Sequence, residues 1–195
     1  MCLIYIYYRL KMSASYDEYE VMDLLQDKQT VKQGFAKMVA QYTQPLYWQI
    51  RRLVLSHDDA NDILQNTFLK AWQNIGLFRG EAKLSTWLYR IALNECLTFL
   101  NKEKARASVS LDDPEASVVD TLEGDAYFTG DEIQRRFQAA LATLPAKQRM
   151  VFNLRYYDEL TYTEISEIMG SSVGALKADY HHAAKKIKAF LEEQD

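Results

Sequence analysis

Apolar residues recur at helical spacing along almost the whole chain. Val31, Phe35, Met38, Val39 and Tyr42 fall three and four residues apart; Pro45 interrupts them and Leu46, Ile50, Leu53 and Val54 resume, which predicts one long bent helix or a pair. Ser56-His57-Asp58-Asp59 has the make-up of an N-cap with acids in the first turn. The helix that follows, about Asp59 to Asn74, turns Ile63, Leu64, Thr67, Phe68, Ala71 and Trp72 inward and leaves Asp62, Gln65, Asn66, Leu69 and Gln73 outside. After a glycine-containing loop, a helix from about Ser85 carries Leu84, Leu88, Ile91 and Leu97 as its apolar stripe.

The second half repeats the habit with shorter elements. Asp131 to Thr143 directs Ile133, Phe137, Ala140 and Leu141 inward, and Pro145 sits where the first turn of a new helix tolerates it. That helix, about Ala146 to Tyr157, buries Met150, Val151 and Leu154. Thr161 and Glu164 form a capping box that opens a short helix ending at Met169-Gly170. Past the Gly170-Ser171-Ser172 turn, Val173, Leu176, Tyr180, Ala183 or Ala184, Ile187 and Phe190 keep helical register to the end. Short helix, tight turn and longer helix make a helix-turn-helix, whose second helix would present Ser172, Gly174, Lys177, Ala178 and His181 to bases or phosphates. Lys185, Lys186 and Lys188 would lie farther along, near the backbone. An ordinary helix corner with a solvated lysine face has the same spacing.

Composition agrees with an all-α chain: 48% of the 195 residues are hydrophobic, with only 7 Gly and 3 Pro. The net charge of −4 argues against a uniformly basic nucleic-acid coat, but the charges are segregated. Arg79, Lys83, Arg90, Lys102, Lys104 and Arg106 outnumber the acids between Phe78 and Arg106. From Ala107 to Gly130 there are six acids and no Lys or Arg. This divides the chain into an extension (1–29), a first helical domain (30–106), an acidic flexible linker (107–130) and a helix-turn-helix domain (131–195). The opening MCLIYIYYRLKM is too short to span a bilayer, so no stable membrane insertion is expected. It reads as an unstructured extension or an upstream start, with Met12 or Met22 the true beginning. Cys2 and Cys96 have no metal-ligand spacing and are expected as free thiols in a reducing cytoplasm. No nucleotide-binding loop, catalytic triad or supported carboxylate pair occurs, so neither an enzyme nor a cofactor is expected.

The chemistry that stands out lies between Phe78 and Arg106. Trp87, Tyr89, Arg90 and Asn94 share one face of the helix, which runs out into Lys102, Lys104 and Arg106. Rings, a guanidinium and an amide backed by cations suit stacking on unpaired bases while holding their phosphates. Core and rim aromatics with dipole-matched cations would look the same in isolation.

Taken together, DDANDILQNTFLKAWQNI, FRGEAKLSTWLYRIALNECLTFL and LPAKQRMVFNLRYYDELTYTEISEIMGSSVGALKADYHHAAKKIKAFL resemble the extracytoplasmic-function sigma factors of bacterial RNA polymerase, of the sigma-70 superfamily. The resemblance spans roughly Val31 to Leu191. It implies a transcription initiation factor in which Asp62, Gln65, Asn66 and Leu69 contact core polymerase. It also implies that Phe78, Arg79, Lys83, Ser85, Thr86, Trp87, Tyr89, Arg90 and Asn94 recognise and melt the minus-ten element of promoter DNA. Ser171, Ser172, Gly174, Lys177, Ala178, His181 and Lys185 would read the minus-thirty-five element, and an anti-sigma protein would hold the factor silent. Many relatives have Arg where this chain has Asp179 and His182; an acid there must point away from DNA or pair with a lysine. A two-domain DNA-binding regulator that never joins polymerase, and a protein-interaction bundle with core aromatics, are the competing classes.

Overall fold

The computed structural model describes residues 17–107 and 132–193, and every element among them is helical. The opening residues with Cys2 and Met12, and nearly all of the expected acidic linker, lie outside the described residues. The helices are α1 (Glu18–Gln26), α2 (Val31–Val54), α3 (His57–Asn74), α4 (Leu84–Ala107), α5 (Glu132–Ala142), α6 (Ala146–Tyr156), α7 (Tyr162–Met169) and α8 (Val173–Glu192).

Of the two options at Pro45, the chain takes the single helix: α2 runs through the proline. Met38, Tyr42, Leu46, Ile50 and Leu53 form its buried stripe, and each fully buried Leu or Ile supplies about 1.5–3 kcal/mol. The helix ends at Leu55, which adopts a left-handed conformation (φ 63°), and Ser56 caps α3 through the Asp59 N–H at 3.3 Å. Ala60, Ile63, Leu64, Thr67 and Ala71 pack α3 inward. Trp72, expected inside, sits at the rim with its ring edge-on to Phe35 at 4.9 Å.

The expected extension contains a helix. Asp17 caps α1 by accepting the Tyr19 and Glu20 N–H groups, and Val21 and Leu25 are buried in the core beneath it. Two apolar anchors in nine residues give too short a stripe to announce a helix by periodicity.

In the second unit, α6 is buried on two sides. Phe152 joins Ala140, Leu141, Leu144, Ala183 and Ile187 in a local core. Met150, Val151 and Leu154 belong instead to the main core with the helices of the first unit. Ile133, expected inward, is 68% exposed. The two units meet directly through a buried ion pair, Arg52 Nη2 to Asp158 Oδ1 at 2.8 Å, with Arg52 lying over the Tyr157 ring and Asn153 donating to the Arg52 carbonyl. Arg149 on α6 is also buried, and desolvation pushes its guanidinium down to about 10; near it on α4, burial pushes the Cys96 thiol up to about 12.

Candidate functional site

Asp62, Gln65, Asn66 and Leu69 lie three and four residues apart on α3 and all four are exposed, Leu69 by 57%. Inward packing of Ile63, Leu64 and Thr67 fixes that row outward, and an ion pair from Lys70 to Glu95 ties α3 to α4. A polar row with an apolar member is suited to a protein partner.

The loop before α4 turns at Gly80, whose φ of 71° favours glycine. Phe78 and Trp87 are half-buried with ring centroids 5.0 Å apart, tilted by 37°. Tyr89 is also half-buried, so part of each of these rings reaches solvent. On the same loop and helix Arg79, Lys83, Arg90 and Asn94 are exposed and Ser85 is half-buried. Thr86 differs from these in being buried in the packed arrangement, at 5% exposure, where α4 is in contact with α2, α3, α6 and α7. Leu97 leaves the expected apolar stripe for the same reason and lines the cleft between the units.

Two of the exposed cations are engaged by α7. Arg90 donates to the Glu167 carbonyl, and Lys83 Nζ lies 3.7 Å from Glu164 Oε1. Glu164 closes the capping box, and the Thr161 N–H and hydroxyl, with Lys83 adding, hold its carboxyl below the usual carboxylate range. Between α4 and α7 is a cleft of about 390 Å³ lined by Arg90, Asn94, Leu97, Met150, Ile168 and Met169.

Gly170 (φ 65°) ends α7, and the Ser171 carbonyl accepts from Ser166. Ser172 caps α8 through the Ala175 N–H at 3.3 Å. Leu176, Ala183 and Ile187 point inward, so Ser172, Gly174, Lys177, Ala178, His181 and Lys185 are exposed, while Ser171 is half-buried in the turn. Asp179 pairs with Lys147 at 3.1 Å, which neutralises the acid on this helix. Tyr180 stacks on Phe152 at 5.4 Å, and burial raises its phenol. Among the described residues no group of three or more His, Cys, Asp or Glu could hold a metal ion, and no helix is long and apolar enough to cross a membrane.

Comparison with known families decides what carries these surfaces. Residues 38–106 match the model of Sigma-70 region 2, and residues 134–187 that of Sigma-70, region 4. The chain is an extracytoplasmic-function sigma factor of the sigma-70 family. It resembles the ECF RNA polymerase sigma factor SigW of Bacillus subtilis, at 30% identity over 179 residues, which cover 86% of this chain and 94% of the relative. The RNA polymerase sigma-H factor of Pseudomonas aeruginosa is 29% identical over 171 residues, 83% of this chain and 88% of the relative. Among solved structures, the sigma factor RpoE of Bartonella quintana, in complex with the anti-sigma factor NepR, has a TM-score of 0.63 at 23% identity, covering 81% of this chain and 96% of that one. CnrH, in complex with the cytosolic domain of CnrY, has a TM-score of 0.66 at 21% identity, covering 92% and 99%.

As a sigma factor, the protein is a transcription initiation factor that directs RNA polymerase to promoters. Periodicity missed two features of this sigma factor. The helix α1 reaches the loop before α4, and Asp158 is buried against Arg52 although its Tyr-Tyr-Asp-Glu context resembles a solvated turn. The only local signal for α1 was Asp17 followed by acids, an N-cap pattern.

Proposed function

We propose that the sigma factor works by dividing three tasks among three surfaces. The α3 row of Asp62, Gln65, Asn66 and Leu69 docks core polymerase. The start of α4 captures the unpaired minus-ten strand, and α8 reads the minus-thirty-five duplex through Lys177, Ala178, His181 and their neighbours. The observation that carries this is the adjacency of the Phe78–Trp87 ring pair to the exposed Arg79, Lys83 and Arg90. Each stacked base recovers about 1–3 kcal/mol, comparable to the few kcal/mol spent in unstacking it, so a protein that captures the opened strand holds the promoter melted. Polymerase supplies the catalysis, and the sigma factor acts with it in the cytoplasm. An anti-sigma protein keeps it silent by covering the same surfaces.

Replacing Trp87 or Arg90 with Ala should leave co-purification with core polymerase intact and abolish promoter opening. Permanganate reactivity of promoter thymines reads the opening directly. Thymines as reactive with Trp87→Ala as with wild type would refute the assignment of α4. Failure of the wild-type chain to co-purify with core polymerase would refute the docking row.

A further inference from the structure

We infer that Glu18 and Met22, on the helix that precedes the matched region, are positioning residues for the minus-ten loop; the inference rests on the assignment of the start of α4 to that strand. The first N–H groups of any helix lack intrahelical partners. At the start of α4 the Leu84 N–H is taken by Glu18 Oε1 at 2.6 Å, from 66 residues earlier in the chain. A carboxylate is favoured there by the helix dipole, and a charge-assisted bond to backbone is among the stronger kinds. A second contact from the same helix reaches the loop itself: a Cβ built on Gly80 would lie 2.8 Å from Met22 Cε, so the Met22 methyl lies against the backbone at the left-handed turn. Thus α1 touches the loop at both ends of the segment that presents Arg79 and Lys83.

The support is stiff enough to transmit position. Val21 and Leu25 are buried, the Thr30 hydroxyl donates to the Leu24 carbonyl at 2.9 Å, and Glu20 pairs with Lys37 on α2. Gly34 sets the spacing, since a Cβ there would come within 2.9 Å of Leu24 Cβ and 3.0 Å of the α1 backbone. Side-chain length at Glu18 and Met22 therefore fixes where the loop and the first turn of α4 stand. Trp87 lies in that turn and Arg90 one turn on, so the ring pair and its cations inherit the register.

The test uses holoenzyme assembled from the full chain and core polymerase. The probe is forked DNA, a duplex arm ending in a single-stranded tail, selected from a randomised pool by the wild-type holoenzyme. Glu18→Ala and Met22→Ala should each lower affinity for the tail about tenfold, the scale of one lost cap, and flatten its base preference. Binding of the duplex arm and of core polymerase should stay within about twofold of wild type. Glu18→Gln keeps an oxygen that accepts the Leu84 N–H and should restore the tail preference, which a general loss of stability would not predict. Glu18→Ala indistinguishable from wild type, or Glu18→Gln as defective as Glu18→Ala, would overturn the inference. Were Glu18→Ala not to fold, Met22→Ala decides alone, and an unchanged tail preference in it overturns the proposal. Trp87→Ala separates the two levels: if it binds the tail like wild type, the assignment of α4 is at fault rather than the role of α1.

Discussion

Asp158→Ala tests whether the contact between the two units is a closure or part of one inseparable core. The minus-ten and minus-thirty-five elements are roughly 25 base pairs apart, or about 85 Å at about 3.4 Å per pair. A compact chain of 195 residues has a radius of gyration of about 16 Å and is only about 40 Å across. On the proposed division of tasks the packed arrangement cannot engage both elements, so the units part when both are bound. Arg52 and Asp158 are 7% and 2% exposed and 2.8 Å apart, so their attraction is about 6 kcal/mol at an effective dielectric near 20. Desolvating each ion costs several kcal/mol, and the intact pair adds little net stability. Removing one partner is another matter: the stranded Arg52 charge costs about 3–5 kcal/mol while it stays buried. Separation of the units relieves that cost by returning the guanidinium to water. Small-angle scattering of Asp158→Ala should show the radius of gyration rising by several ångströms from about 16 Å, with helical content unchanged by circular dichroism. The double change Arg52→Leu, Asp158→Leu should restore the compact value. A radius fixed at the wild-type value, with unfolding free energy lowered by about 3–5 kcal/mol, would show one cooperative body and refute the reasoning.

Three further outcomes follow from the same coordinates. Because burial lifts the Cys96 thiol from 9.0 to about 12, the folded state holds that proton more tightly, so its contribution is complete below pH 9 and lost as pH rises toward 12. Arg149, pushed down from 12.5 to about 10, has the opposite slope above pH 10, so Arg149→Met should be more stable at pH 7 and lose stability more steeply above pH 10; urea midpoints against pH check this, and an unchanged slope would contradict it. Lys177→Ala should weaken binding to a duplex selected by the wild-type holoenzyme and reduce the salt slope of log K by about 1, read by fluorescence anisotropy; an unchanged slope would place Lys177 off the phosphates. Closure should persist between about 0.05 and 1 M salt, because screening weakens exposed pairs and spares buried ones. A radius of gyration that grows with salt would assign closure to the exposed Lys83–Glu164 pair instead.

Legibility in the sequence followed how many partners each helix has. α3 packs inward on one side, so its apolar positions separated cleanly from the Asp62 to Leu69 row. α8 has one buried stripe, Leu176, Ala183 and Ile187, and the remaining face could be read outward. α4 defeats that logic because it is gripped from two sides: Leu84, Thr86, Leu88, Ala92, Leu93 and Cys96 are all buried, which no single stripe contains. Trp87 and Tyr89 consequently sit half-covered, and Thr86 is buried. The Arg52–Asp158 pair joins residues 106 positions apart, and nothing local marks an Asp in a turn as buried. α1 stayed hidden because its close approach depends on a glycine on the other helix, Gly34, whose role is visible only when the two backbones are side by side.

The placement of strong and weak contacts gives the closed form a particular logic. The links from α7 to the start of α4, Lys83 to Glu164 and Arg90 to the Glu167 carbonyl, are solvent-exposed, and exposed ion pairs are worth about 0–1 kcal/mol. A DNA phosphate can displace such partners at little cost. The buried charges, Arg52 with Asp158 and the desolvated Arg149, belong to the contact between the units. There the paired charge resists being opened by halves, whereas the Arg149 guanidinium, desolvated by burial, gains from being returned to water. A seam whose intact ion pair adds little net stability can be tipped by a few kcal/mol, the scale of a partner's differential contact with the two units. DNA alone, meeting only the weak outer contacts, would uncover the cations without parting the seam.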